Sequence, residues 1–143
     1  MNRLKWMLLL NIFAVISASS VNASTVNITV RGIRNSNGHL IFGLFKSPQE
    51  FPFGDGVFQK VDAKKNVAQY TFTNIKKGTY AIIVLHDEND NKKLDANFFG
   101  IPSEGYGASL NHHQLADPPL FSDNKFDLSD TDEKDLIINL KYW

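Results

Sequence analysis

From Ser24 onward, apolar residues return at every second position in one short run after another, and no window sustains a helical period. Alternation of this kind marks strands with one buried face. In Thr25–Ile33, Val26, Ile28 and Val30 share one side while Asn27, Thr29 and Arg31 take the other. His39–Lys46, Val57–Ala63, Val67–Thr73, Thr79–His86, Lys125–Leu128 and Asp135–Tyr142 complete a set of seven such runs. Thr79–His86 is apolar on both faces, which places it centrally. Short strands separated by turn residues predict an all-β fold, an antiparallel β-sandwich of about seven strands. Its expected core is Val26, Ile28, Val30, Tyr70, Phe72, Tyr80, Ile82, Val84, Leu136, Ile138 and Leu140. The turn Asn35-Ser36-Asn37-Gly38 predicts a hairpin between the first two strands. Pro48, Pro52, Gly54 and Gly56 mark an irregular connection with Phe51 and Phe53 tucked inward. Asp87 to about Ser122 lacks alternation, and so long a stretch inside a compact domain is usually functional or mobile.

Residues 1–23 read as a secretory signal peptide. Arg3 and Lys5 precede the apolar stretch Trp6–Ile16, which is too short to span a bilayer, and Val21-Asn22-Ala23 fits the small-x-small rule for cleavage. Residues 24–143 then form a single domain, periplasmic or secreted, with no stable membrane insertion after cleavage. The absence of cysteine excludes disulfides, thiolate nucleophiles and zinc–thiolate sites. Fifteen basic residues balance fifteen acidic ones, so the basic surplus expected of a nucleic-acid binder is missing. At the C-terminus, Trp143 counts back in twos to Lys141 and Asn139, too polar for the lipid face of a barrel strand.

The sharpest chemical signal is the loop after the central strand. Asp87, Asn89, Asn91 and Asp95 occupy positions 1, 3, 5 and 9 of a calcium-type loop, where alternating oxygens can wrap one hard cation and Lys93 can offer its carbonyl. Position 6 is Lys92 rather than Gly, position 12 is Phe98 rather than Glu, and two lysines flank the site. Successive Asx-turns, each side chain bonding its own backbone, account for the same residues. Both readings stand at this level: a calcium site, or a loop that satisfies itself. His86 beside Asp87, together with His112 or His113, can form a metal or acid–base group, or His86 can simply be a hydrogen-bonded core residue. No Ser sits in a nucleophile elbow, and Gly105-Tyr106-Gly107 lacks the strand–helix context of a phosphate loop, so no catalytic residue is assigned. Phe98-Phe99-Gly100-Ile101-Pro102 and Tyr106 form either an aromatic patch for a glycan or peptide or, the expected case, an apolar segment packed under its own loop. The loop is expected to be ordered, because Leu94, Phe98, Phe99, Ile101 and Tyr106 are too apolar to leave in water.

The run GTYAIIVLHDENDNKKLDANFFGIPSEGYG, with VRGIRNSNGHLIFGLF, FPFGD and PPLFSDNKF around it, resembles a bacterial exported family catalogued as a domain of unknown function (number 2141). The resemblance covers nearly all of the chain after the leader. It implies an immunoglobulin-like or prealbumin-like sandwich and carries no activity. The family's loop commonly has Gly where Asp90 and Lys92 stand here. Two functions follow as expectations. The first is an exported non-enzymatic module, without a required cofactor, that binds or supports an envelope protein or glycan. The alternative is a small periplasmic hydrolase or metal-dependent enzyme using His86, Asp87 and a loop histidine.

Overall fold

The structure is a computed structural model that describes residues 23–113 and 117–143. The predicted leader, apart from Ala23, lies outside the described residues. The elements run β1 (Ser24–Ile33), β2 (His39–Phe45), β3 (Val57–Asp62), β4 (Asn66–Ile75), β5 (Gly78–Asp87), β6 (Gly105–Ala108), a single helical turn α1 (Phe121–Asn124), β7 (Phe126–Leu128) and β8 (Glu133–Asn139). Two sheets stack. One has the order β4-β1-β8, the other β3-β2-β5-β6, with β7 also pairing β5. All pairings are antiparallel except β1 with β8, which is parallel. The fold is therefore an all-β sandwich of eight strands, not a barrel.

The core lies where the alternation put it. Val26, Ile28 and Val30 of β1 meet Tyr80, Ile82 and Val84 of β5 and Leu136 and Ile138 of β8 in one buried cluster. Tyr70 alone of the expected set is only partly buried; its ring packs 5.1 Å from Phe42 and 4.9 Å from Phe72. β-branched residues dominate these strands because their stiff side chains suit a pleated, half-buried surface.

The expected β1–β2 hairpin does not form. β1 pairs with β4 and β8, whereas β2 pairs with β3 and β5, so the chain changes sheets between them. A tight two-residue hairpin needs positive φ at both central residues. Here only Gly38 has it, at 60°, and the Asn35 side chain instead accepts the Asn37 N–H at 2.9 Å, turning the chain toward the other sheet. The long region after β5 contains two elements without a sequence signature, β6 and α1. β6 reads Gly-Tyr-Gly-Ala, too short and too glycine-rich to alternate. It lies close against β8: a Cβ at Gly107 would come within 2.7 Å of Ile138 Cγ2. Tyr106 and Lys141 exchange backbone hydrogen bonds of 3.1 and 2.9 Å there, tying the two sheets together along one side.

A second, smaller cluster sits on the outer face of the five-stranded sheet. Phe45, Phe51, Ala81 and Ala108 are buried there, with Phe121 packed against them. The 47–56 connection and α1 cover only this end of the face. Phe51 is tucked in as expected, but Phe53 is 73% exposed.

Candidate functional site

β5 delivers His86 and Asp87 to the same end of the sandwich but to opposite faces, because neighbours on a strand alternate. His86 is wholly buried between the sheets. Its Nε2–H donates to the Asn37 carbonyl at 2.9 Å, which leaves Nδ1 to accept the Tyr142 hydroxyl proton at 2.7 Å. Tyr142 in turn accepts the Arg34 N–H at 3.3 Å. Both imidazole nitrogens are thus used in holding structure. Arg34 lies over the Tyr142 ring, 4.6 Å from its centre, and grips Glu88 with two bonds of 2.6 and 3.0 Å. Burial works against the Glu88 charge, but the Arg34 and Asn35 hydrogen bonds and the Arg34 cation outweigh it and hold the carboxyl below its ordinary value. His112 is exposed, and His113 meets Tyr106 and Trp143 edge-on, with ring centres 5.7 and 6.1 Å away, while those two rings lie 5.1 Å from each other. The histidines do not gather with Asp87.

Asp87 starts the loop and is fully buried beneath it. Its two oxygens accept the N–H groups of Asn91 at 3.1 Å and Lys92 at 2.8 Å. Asn89 accepts from Asn91, and Asn91 accepts from Lys93. With their oxygens so occupied, both Asn side chains turn their Nδ2 ends to the Asp95 carboxylate, at 2.6 to 2.9 Å. The four predicted ligands therefore do come together, but as donors and acceptors for one another. Among the described residues no group of three or more His, Asp or Glu is gathered as a metal would require. Glu104, which the sequence reading missed, is buried and staples both ends of the loop: its oxygens accept the N–H groups of Glu88 at 2.8 Å and Asp95 at 3.1 Å. Asp90 at the loop tip pairs with His39 and, at 3.1 Å, with Lys60. The hydrogen bond from Lys60, followed by that from His39, holds the Asp90 carboxyl below its ordinary value.

The loop closes on itself through these hydrogen bonds, but its aromatic tip does not pack under it. Phe98 is 97% and Phe99 82% exposed, their rings edge to face at 5.5 Å. The Asn97 side chain accepts the N–H groups of Phe99 and Ile101, and Gly100 with φ 77° reverses the chain, so the tight turn itself forces these rings outward. Tyr106 joins β6 instead and is buried.

The uncovered end of the five-stranded sheet was not anticipated from sequence. Pairing registers set two outward rows across the strands. One reads Lys60, Ile41, Leu85, Tyr106; the other reads Phe58, Gly43, Ile83, Ala108. Because Gly43 has no side chain, the Phe58 ring and Ile83 close over it; a Cβ there would sit 3.0 and 3.1 Å from them. The loop raises one wall at Leu94 and the 47–56 connection the other at Phe53. Between them lies a groove of about 660 Å³. Alternation in β5 was legible, but only pairing shows which outward residues stand side by side.

Over residues 28–135 the chain matches the family described as "Uncharacterized protein conserved in bacteria (DUF2141)". The chain belongs to this family. Neither the curated proteins nor the solved structures returned a match. Against the glycines that the DUF2141 resemblance placed at 90 and 92, Asp90 and Lys92 adopt φ of 61° and 63°, the left-handed region that glycine enters freely. The loop thus keeps a glycine-type backbone path without the glycines.

Proposed function

We propose that this protein is an exported, non-enzymatic module that binds an envelope component on the outer face of its five-stranded sheet. One observation carries the reading. Ile41, Phe58, Ile83 and Leu85 form an apolar floor that neither the 47–56 connection nor the 87–104 loop covers, although both wall it. Apolar surface left open between two ordered walls is the usual form of a binding site. The leader pattern supports export, and without cysteine an exported chain is stabilised by packing alone. His86, Asp87 and the loop histidines supply no converging acid, base and nucleophile, so nothing favours the enzyme reading.

Site-specific photo-crosslinking in intact cells tests this. A photoreactive phenylalanine analogue at Phe58 should give a discrete adduct with an envelope component. The same analogue at Gln69, exposed on β4 of the opposite sheet, should give none. Equal labelling from both positions, or none from Phe58, would remove the proposal.

A further inference from the structure

We propose that the groove holds a single-chain fatty-acyl carboxylate, with its head group at Lys92 and Lys93. This assignment rests on the module reading and specifies its ligand. The floor argues first. β2 is hydrogen-bonded to β3 and β5, and β5 to β2 and β6, so the backbone beneath the groove is already paired on both sides. A glycan or peptide laid on Ile41, Phe58, Ile83 and Leu85 would bury hydroxyls or amides with few partners, because the polar groups of the lining are confined to Gln59, Tyr106 and the lysines, a cost an acyl chain does not carry. The floor's outward side chains, Ile41, Phe58, Ile83 and Leu85, offer no hydrogen bonds.

Charge argues second. Three lysines line the groove and no carboxylate does. Lys60 is neutralised by Asp90. Lys92 and Lys93 are exposed, line the groove and make no side-chain ion pair or hydrogen bond among the described residues. A desolvated anion beside an apolar body is what such a mouth recognises.

Continuity gives the direction. The groove shares Pro52, Phe53, Ile83, Leu94 and Tyr106 with a recess of about 180 Å³ that continues to Pro118 and Pro119. That recess is lined by Asp117 and by no lysine, so it would repel an anionic head and accept a tail. The main volume lies within the range of small-molecule sites, roughly 300–1,000 Å³.

Calorimetric titration of the full chain with dodecanoate, below its micellar concentration, tests the assignment. Saturable binding at one per chain is expected, at least tenfold tighter than for dodecyltrimethylammonium, with acetate inert. The exposed double variant Lys92→Glu/Lys93→Glu should weaken dodecanoate at least tenfold at an unchanged melting temperature. Leu85→Gln should weaken it as well, and Phe58→Ser repeats that test if Leu85→Gln lowers the melting temperature. No saturable dodecanoate binding, indifference to the sign of the head group, or affinity untouched by the lysine and floor variants would overturn the proposal. A protein adduct from Phe58 together with no dodecanoate binding would also overturn it, while leaving the module reading in place.

Discussion

A neutral imidazole sealed from water needs an acceptor for its one N–H and a donor for its bare nitrogen. His86 has both, in Asn37 and Tyr142. Removing one partner strands the other, and a buried polar group without its partner costs roughly 1–3 kcal/mol. Tyr142→Phe should therefore lower the unfolding free energy by about that amount in urea titrations. A loss of only a few tenths of a kcal/mol would show that His86 is satisfied some other way. At this scale the sequence was half legible. That His86 and Asp87 face apart follows from strand alternation alone. That His86 is held by Asn37 and Tyr142 does not, because those residues are 49 and 56 positions away and meet it only once the sheets have stacked. Glu104 was invisible for the same reason: nothing local separates a buried staple from a surface carboxylate.

At the scale of elements, the 87–104 loop keeps its shape through bonds that start on Asp87 and Glu104. The ends that Asn89 and Asn91 present to Asp95 are amide nitrogens, which do not ligate cations, and Lys92 and Lys93 add like charge nearby. Millimolar calcium should leave the melting midpoint unmoved. Asp87→Ala should lower it, because the Asn91 and Lys92 N–H groups lose their acceptor, and should speed their hydrogen exchange. A cation that binds only the folded chain must raise the midpoint with concentration. A rise that vanishes in Asp95→Ala would assign these residues to a calcium site instead. The strands themselves were legible because period 2 survives in single sequences. The β1–β2 hairpin was not: Asn37-Gly38 looks like hairpin chemistry, but only Gly38 of the pair takes positive φ and the two strands pair in different sheets.

For the whole molecule, charge and burial together fix how stability follows pH. Burial, then the nearby charges of Lys141 and His112, hold the His113 pKa below its ordinary 6.5. Below pH 6.5 the unfolded chain takes up that proton while the folded chain resists, so stability falls as pH drops from 6.5 through the folded value. Glu88 adds a second limb. Its carboxyl lies below the ordinary 4.5, so its contribution is present above 4.5 and is lost as pH falls through the lower folded value. On the alkaline side, burial raises Tyr80, Tyr106 and Tyr142 above 10, and stability should fall once the unfolded chain begins to ionise there. Unfolding free energy against pH should therefore be a plateau between about 6.5 and 10, with an acid limb that His113 opens below 6.5 and Glu88, with Asp90, continues below 4.5. His113→Gln identifies the first step, since it should flatten the profile just below pH 6.5 and leave the lower step intact. Arg34→Gln identifies the Glu88 part of the lower limb, by moving it toward pH 4.5 while the Asp90 part stays. If both variants kept the parent profile, the acid limb would come from carboxylates spread over the surface, and neither the burial of His113 nor the Arg34–Glu88 pair would govern it.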